Sequence, residues 1–101
     1  MPVRFLALAE RELVDGARWY EEREAGLGDD FLREVSRALD SVAASPNRYP
    51  LEEWNRSQRI VRRCPLDRFP YQLVFEVRSD DVVILAVAHY SRRPAYWRTR
   101  K

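Results

Sequence analysis

The sequence predicts an α+β fold: an N-terminal strand, a two-helix antiparallel hairpin packed on a small, mainly antiparallel sheet, and a short C-terminal tail or helix. Three observations predict it. Apolar residues recur at helical spacing between positions 10 and 45, they alternate with the period of a strand between positions 58 and 89, and glycine or proline punctuates the boundaries. With 101 residues, the chain has room for a single domain, residues 1–101, that buries about two-thirds of its unfolded surface.

The first strand is expected over Val3 to Leu8, where Val3, Phe5 and Ala7 alternate with Arg4, Leu6 and Leu8. From Glu10 the spacing becomes helical: Leu13, Ala17 and Tyr20 fall at i, i+4 and i+7 and share a face, with Val14 beside them. Glu10, Glu12 and Asp15 near the start suit the positive end of the helix dipole. Gly26 and Gly28 end this helix. Asp29 or Asp30 is then the expected cap of a second helix, with Phe31, Val35, Leu39 and Val42 on its apolar face and Pro46 as its stop.

Pro46 to Ser57 reads as a loop holding Tyr49-Pro50 and an isolated Trp54. Three strands follow. Gln58 to Cys64 sets Ile60 and Val61 among arginines, and Pro65 to Arg68 connects it onward. In the next run Tyr71, Leu73, Phe75 and Val77 form an apolar face, and Pro70 fits only at its beginning, where a missing N–H does least harm. Ser79-Asp80-Asp81 is a turn. Val82 to His89 is apolar on both alternating faces, as expected of a central strand covered on both sides. In the tail, Pro94 suits the first turn of a short final helix.

Composition removes several classes of function. The single Cys64 cannot form an internal disulfide, and a thiolate zinc cluster is impossible. Three scattered glycines cannot build a phosphate-binding loop or a dinucleotide fingerprint. No metal or cofactor is expected. The longest apolar run, Val82 to Ala88, falls far short of the roughly 18 residues of a membrane span. With no export signal near the N-terminus, the expectation is a cytoplasmic protein without a membrane partner.

Charge is unevenly placed. Residues 1–55 hold 7 basic and 12 acidic side chains, whereas residues 56–101 hold 11 basic and 4 acidic. All the basic residues except Lys101 are arginine, whose planar fork of donors suits phosphate and carboxylate. A cationic half points to an anionic partner: RNA, DNA or an acidic protein segment. An ordinary arginine-rich solvated surface gives the same composition.

His89, the sole histidine, stands at the end of the expected central strand, where it suits general acid–base work or a structural bond to backbone. Arg62, Arg63, Arg92 and Arg93 are candidates to bracket a phosphate. Tyr71, Tyr90 and Tyr96 can stack on bases, donate a proton or simply pack, and Trp19 and Trp97 are read as packing residues. Glu76 is expected to pair with a neighbouring arginine. If the protein is an enzyme, metal-free phosphoryl transfer on RNA is the chemistry these residue types best support.

One set of features, taken in order, resembles the RelE/ParE superfamily of toxins from bacterial type II toxin–antitoxin modules. They are Trp19-Tyr20 with Glu21-Glu22; Leu27-Gly28 with Phe31; Pro46 and Tyr49-Pro50; Phe69-Pro70-Tyr71; Ala86 to His89; and the closing group of Arg92 or Arg93, Pro94, Tyr96-Trp97 and Arg98. The resemblance covers nearly the whole chain. It implies a growth-inhibiting toxin held in check by a cognate antitoxin that lays a flexible segment over its surface. One branch implies cleavage of ribosome-bound mRNA, a metal-independent endoribonuclease with His89, Arg62 and Tyr96 as catalytic residues and Arg63, Tyr71, Arg92 and Arg93 binding substrate. That nuclease is the leading expectation; the alternative, implied by the other branch, is inhibition of DNA gyrase by binding alone. The absence of internal lysine and the Val87-Ala88-His89 strand end beside Arg92 resemble that second branch.

Overall fold

The computed structural model describes residues 1–52 and 59–101. Its elements are β1 (Val3–Phe5), α1 (Ala7–Arg23), α2 (Leu27–Ala44), a single 3₁₀ turn (Pro46–Arg48), β2 (Val61–Pro65), β3 (Tyr71–Val77) and β4 (Val82–His89). The sheet runs β1-β4-β3-β2; the pairs β4–β3 and β3–β2 are antiparallel, and β1 joins β4 in parallel. β4 is therefore central, as its two apolar faces require. The expected first strand is cut short because Leu6 already caps α1, and Leu8 is half exposed on that helix.

The helices pack one face of the sheet. Phe31, Val35 and Val42 of α2 are buried against Leu73, Phe75, Val82, Ile84 and Val87, with Leu13, Ala17, Tyr20 and Leu39 alongside. Each fully buried large side chain contributes about 2 kcal/mol. Val14 does not belong to this face; it is half exposed, because one residue past Leu13 turns about 100° around the helix.

The start of α2 differs from the expectation. Gly26 adopts φ +89 and turns the chain early, so α2 begins at Leu27 and Asp29 and Asp30 lie inside its first turn, where they favour the dipole but cap nothing. The capping is done from α1: the Glu21 carboxylate accepts the N–H groups of Gly26 (2.9 Å) and Gly28 (3.0 Å). Gly28 lets the helices meet, since a Cβ there would stand 2.5 Å from the Ala17 carbonyl oxygen.

The strand expected from Gln58 begins at Val61; Gln58 itself, like Trp54, lies outside the described residues. Ile60 precedes the strand and is half exposed. Leu51 bridges to Arg62 and covers the outer edge of β2.

A bulge marks the centre of the sheet. Val74 pairs with Ala86 and Phe75 with Ile84, which leaves Leu85 as the extra residue. Val83, Leu85, Ala86 and Ala88 consequently share the face away from the helices, where Ala95 and Trp97 of the tail cover them. The tail forms no final helix. It is a chain of turns closed by Arg92 N–H to His89 O, Arg98 N–H to Ala95 O and Arg100 N–H to Trp97 O, with Ala95 at φ +57. Its task is to close the second core.

Candidate functional site

Glu12 organises the region where α1, β4 and the tail meet. One carboxylate oxygen accepts the Val87 N–H (3.1 Å) and Arg100 Nη1 (2.8 Å), and the other accepts the Tyr96 hydroxyl (2.6 Å) and Arg100 Nη2 (3.0 Å). Arg100 also donates to the carbonyl of Leu85, the bulged residue, at 3.0 Å. β1 pairs with β4 only as far as Ile84, and beyond it Arg100 of the tail serves the Leu85 carbonyl while Glu12 of α1 serves the Val87 N–H. Composition read Glu12 as a first-turn dipole partner and gave no role to Arg100. Residues 88 positions apart leave no local signal of their contact.

Beside this cluster lies a cleft of about 580 Å³ between α1 and the ends of β3 and β4. His89, Tyr71 and Arg92 line it, so three of the sequence-selected residues do come together. His89 Nδ1 accepts the Ser91 N–H at 2.9 Å, and its ring stands edge-on to Tyr71 with centroids 5.0 Å apart. Arg92 stacks on Tyr96, 3.8 Å from the ring centre, and its guanidinium lies 3.6 Å from Glu12. The Tyr71 phenol is pushed above its ordinary value by burial, then by Tyr20, Glu12 and Asp15.

The other selected residues are placed elsewhere or are already engaged. Tyr96 gives its proton to the hydrogen bond with Glu12, and burial followed by that carboxylate raises its pKa strongly, so the phenol is a reluctant acid. Arg62 is level with Phe75 and Ile84, five residues along β4 from His89 and two strands away. That is about 17 Å along the strands and about 10 Å across them. Its guanidinium donates to the Tyr49 carbonyl at 2.7 Å. Arg63 reaches the Leu51 carbonyl at 3.4 Å. Arg93 is exposed in the tail and has no side-chain partner among the described residues.

Among the described residues, arginines of the cationic half are divided among separate carboxylates. Arg59 and Arg78 both pair with Glu76, as expected for that glutamate, while Arg92 and Arg100 pair with Glu12, and Arg68 lies 3.8 Å from Asp30. Trp97 packs as expected, but Trp19 is half exposed with Arg23 stacked 3.7 Å over its ring.

No helix among the described residues is long and apolar enough to cross a membrane. No curated protein matches the chain. Among solved structures, a chain of the chromosomal ParDE TA system from P. aeruginosa superimposes with a TM-score of 0.68 at 16% identity, over 88% of this chain and 95% of that one, which shows a common fold. The model of the ParE toxin of type II toxin–antitoxin system, parDE, matches residues 3–94. The fold is thus shared, and the family match over most of the chain shows that it belongs to the ParE family of type II toxins.

Proposed function

We propose that this toxin arrests growth by binding DNA gyrase in the cytoplasm, without cutting RNA, until its antitoxin covers it. The observation that carries this reading is the dispersal of the groups an RNA-cleaving site needs. Arg62 is a sheet's width from His89 and bonded to a carbonyl, and the Tyr96 hydroxyl is bonded to Glu12. General acid–base chemistry needs its groups within hydrogen-bond reach of one reacting centre. Binding needs only a shaped surface, and the tail offers half-exposed Tyr90 with exposed Arg93 and Arg98.

Purified toxin should slow the supercoiling of relaxed plasmid by gyrase and leave mRNA on translating ribosomes intact, with His89→Ala as toxic as the parent. Unimpeded gyrase together with cut mRNA would overturn this. A nuclease reading has one observation in its favour, the convergence of His89, Tyr71 and Arg92 on a single cleft. Cleavage lost in His89→Ala would establish it.

A further inference from the structure

The cleft between α1 and the sheet end has the wrong electrostatics for a phosphate. Glu12 and Asp15 both line it, and the Tyr71 phenol in its wall is pushed above its ordinary value first by burial, then by Tyr20 and these two carboxylates. Arg92, which also lines the cleft, is engaged by Glu12 and by the Tyr96 ring. Asp15 is exposed and has no hydrogen bond or ion pair among the described residues, although Arg11 and Arg18 stand one turn away on the same helix. The walls are aromatic: Trp19 and Tyr20 from α1, Tyr71 from β3 and the His89 ring from β4. Gly16 lets the Phe31 and Tyr71 rings approach α1, because a Cβ there would stand 3.1 Å from Phe31 and 3.2 Å from the Tyr71 hydroxyl.

A free carboxylate at the rim of an aromatic-walled cleft matches a flat, weakly hydrated cation. Trp19 already carries one contact of this kind, with Arg23 stacked 3.7 Å over its ring. We propose that the cleft receives an arginine side chain carried by the antitoxin, its guanidinium bonded to Asp15 and flanked by Trp19 and Tyr71. An ammonium group offers no plane to stack, and an acidic side chain would meet Glu12 and Asp15. The proposal rests on the antitoxin that the family implies, and not on gyrase as the target.

The test uses the full toxin and its cognate antitoxin, with dissociation constants measured by calorimetry. Asp15→Asn should weaken the complex about 10- to 100-fold, the range of one charge-assisted hydrogen bond. Replacing each antitoxin arginine by glutamine should reveal one position whose loss costs as much against the parent toxin yet under about twofold against Asp15→Asn. An unchanged thermal melt shows that Asp15→Asn is folded. Binding of Asp15→Asn within twofold of the parent, absence of a coupled arginine, or no antitoxin binding at all would overturn the proposal. Gyrase inhibition by free toxin is read separately, so a wrong target and a wrong anchor give different results.

Discussion

Glu12 on α1 and Arg100 in the tail form a two-pronged ion pair, 2.8 and 3.0 Å, that is nearly sealed from water: their side chains are 15% and 12% exposed. Every lone-pair direction of that carboxylate is used, by α1's own contacts to the Val87 N–H, the Tyr96 hydroxyl and the guanidinium fork.

Removing one partner therefore strands the other. Arg100→Ala leaves Glu12 short of its main cation and the Leu85 carbonyl without its donor. The expected cost is about 3 kcal/mol in urea unfolding. Charge swapping, Glu12→Arg with Arg100→Glu, should not restore it, because the Val87 N–H and Tyr96 hydroxyl both need an acceptor at position 12.

Alkaline pH should weaken the same junction. Burial and then Glu12 raise the Tyr96 phenol above its ordinary 10.0. The native state therefore holds that proton more tightly than the unfolded chain. This stabilisation is complete below pH 10 and fades as the pH climbs through the raised value. In a spectrophotometric titration Tyr96 should be the last of the five tyrosines to ionise. Tyr96→Phe should cost about 2 kcal/mol at neutral pH and flatten the alkaline decline.

Acid acts elsewhere, on Glu76. Burial alone would raise this carboxyl, but hydrogen bonds from Arg59 and Arg78 outweigh it and hold the pKa below the ordinary 4.5. A depressed native pKa gives stability that is present above pH 4.5 and lost as the pH falls through the lower value. Glu76→Gln should be less stable at neutral pH and lose less than the parent between pH 4.5 and 2 in chemical denaturation.

The two glycines of the helical hairpin should respond in different degrees. An added methyl at Gly28 would meet backbone, the Ala17 carbonyl, so Gly28→Ala must push the helices apart, at about 3 kcal/mol. Gly26 has open space around it and only the strain of φ +89, so Gly26→Ala should cost about 1 kcal/mol. Thermal melts of the two variants should fall in that order.

Periodicity made most of this fold legible. The spacing of Phe31, Val35 and Val42 located the buried face of α2, and the doubly apolar run of β4 placed it at the sheet centre. What stayed hidden depends on contacts between distant residues. Glu21 rather than Asp29 caps α2 because Gly26 turns the chain toward it, and no propensity encodes that route. The site was less legible still. His89 and Tyr71 are each singled out by residue type or position, with no sign that their rings meet, and arginine is so abundant that sequence does not distinguish Arg92, beside them, from Arg62, across the sheet. Asp15 and Trp19 carried no signal, because an exposed helical aspartate and a tryptophan read as surface and core.

The pairing of Val3 with Val82 has a kinetic corollary. When β1 leaves the ribosome its partner strand has not been synthesised, and Glu12 must wait longer still for Arg100. Such long-range closures come late in folding. The helical hairpin, built from contacts between neighbouring segments, can therefore form before β1 closes the sheet and before Arg100 locks the tail onto α1.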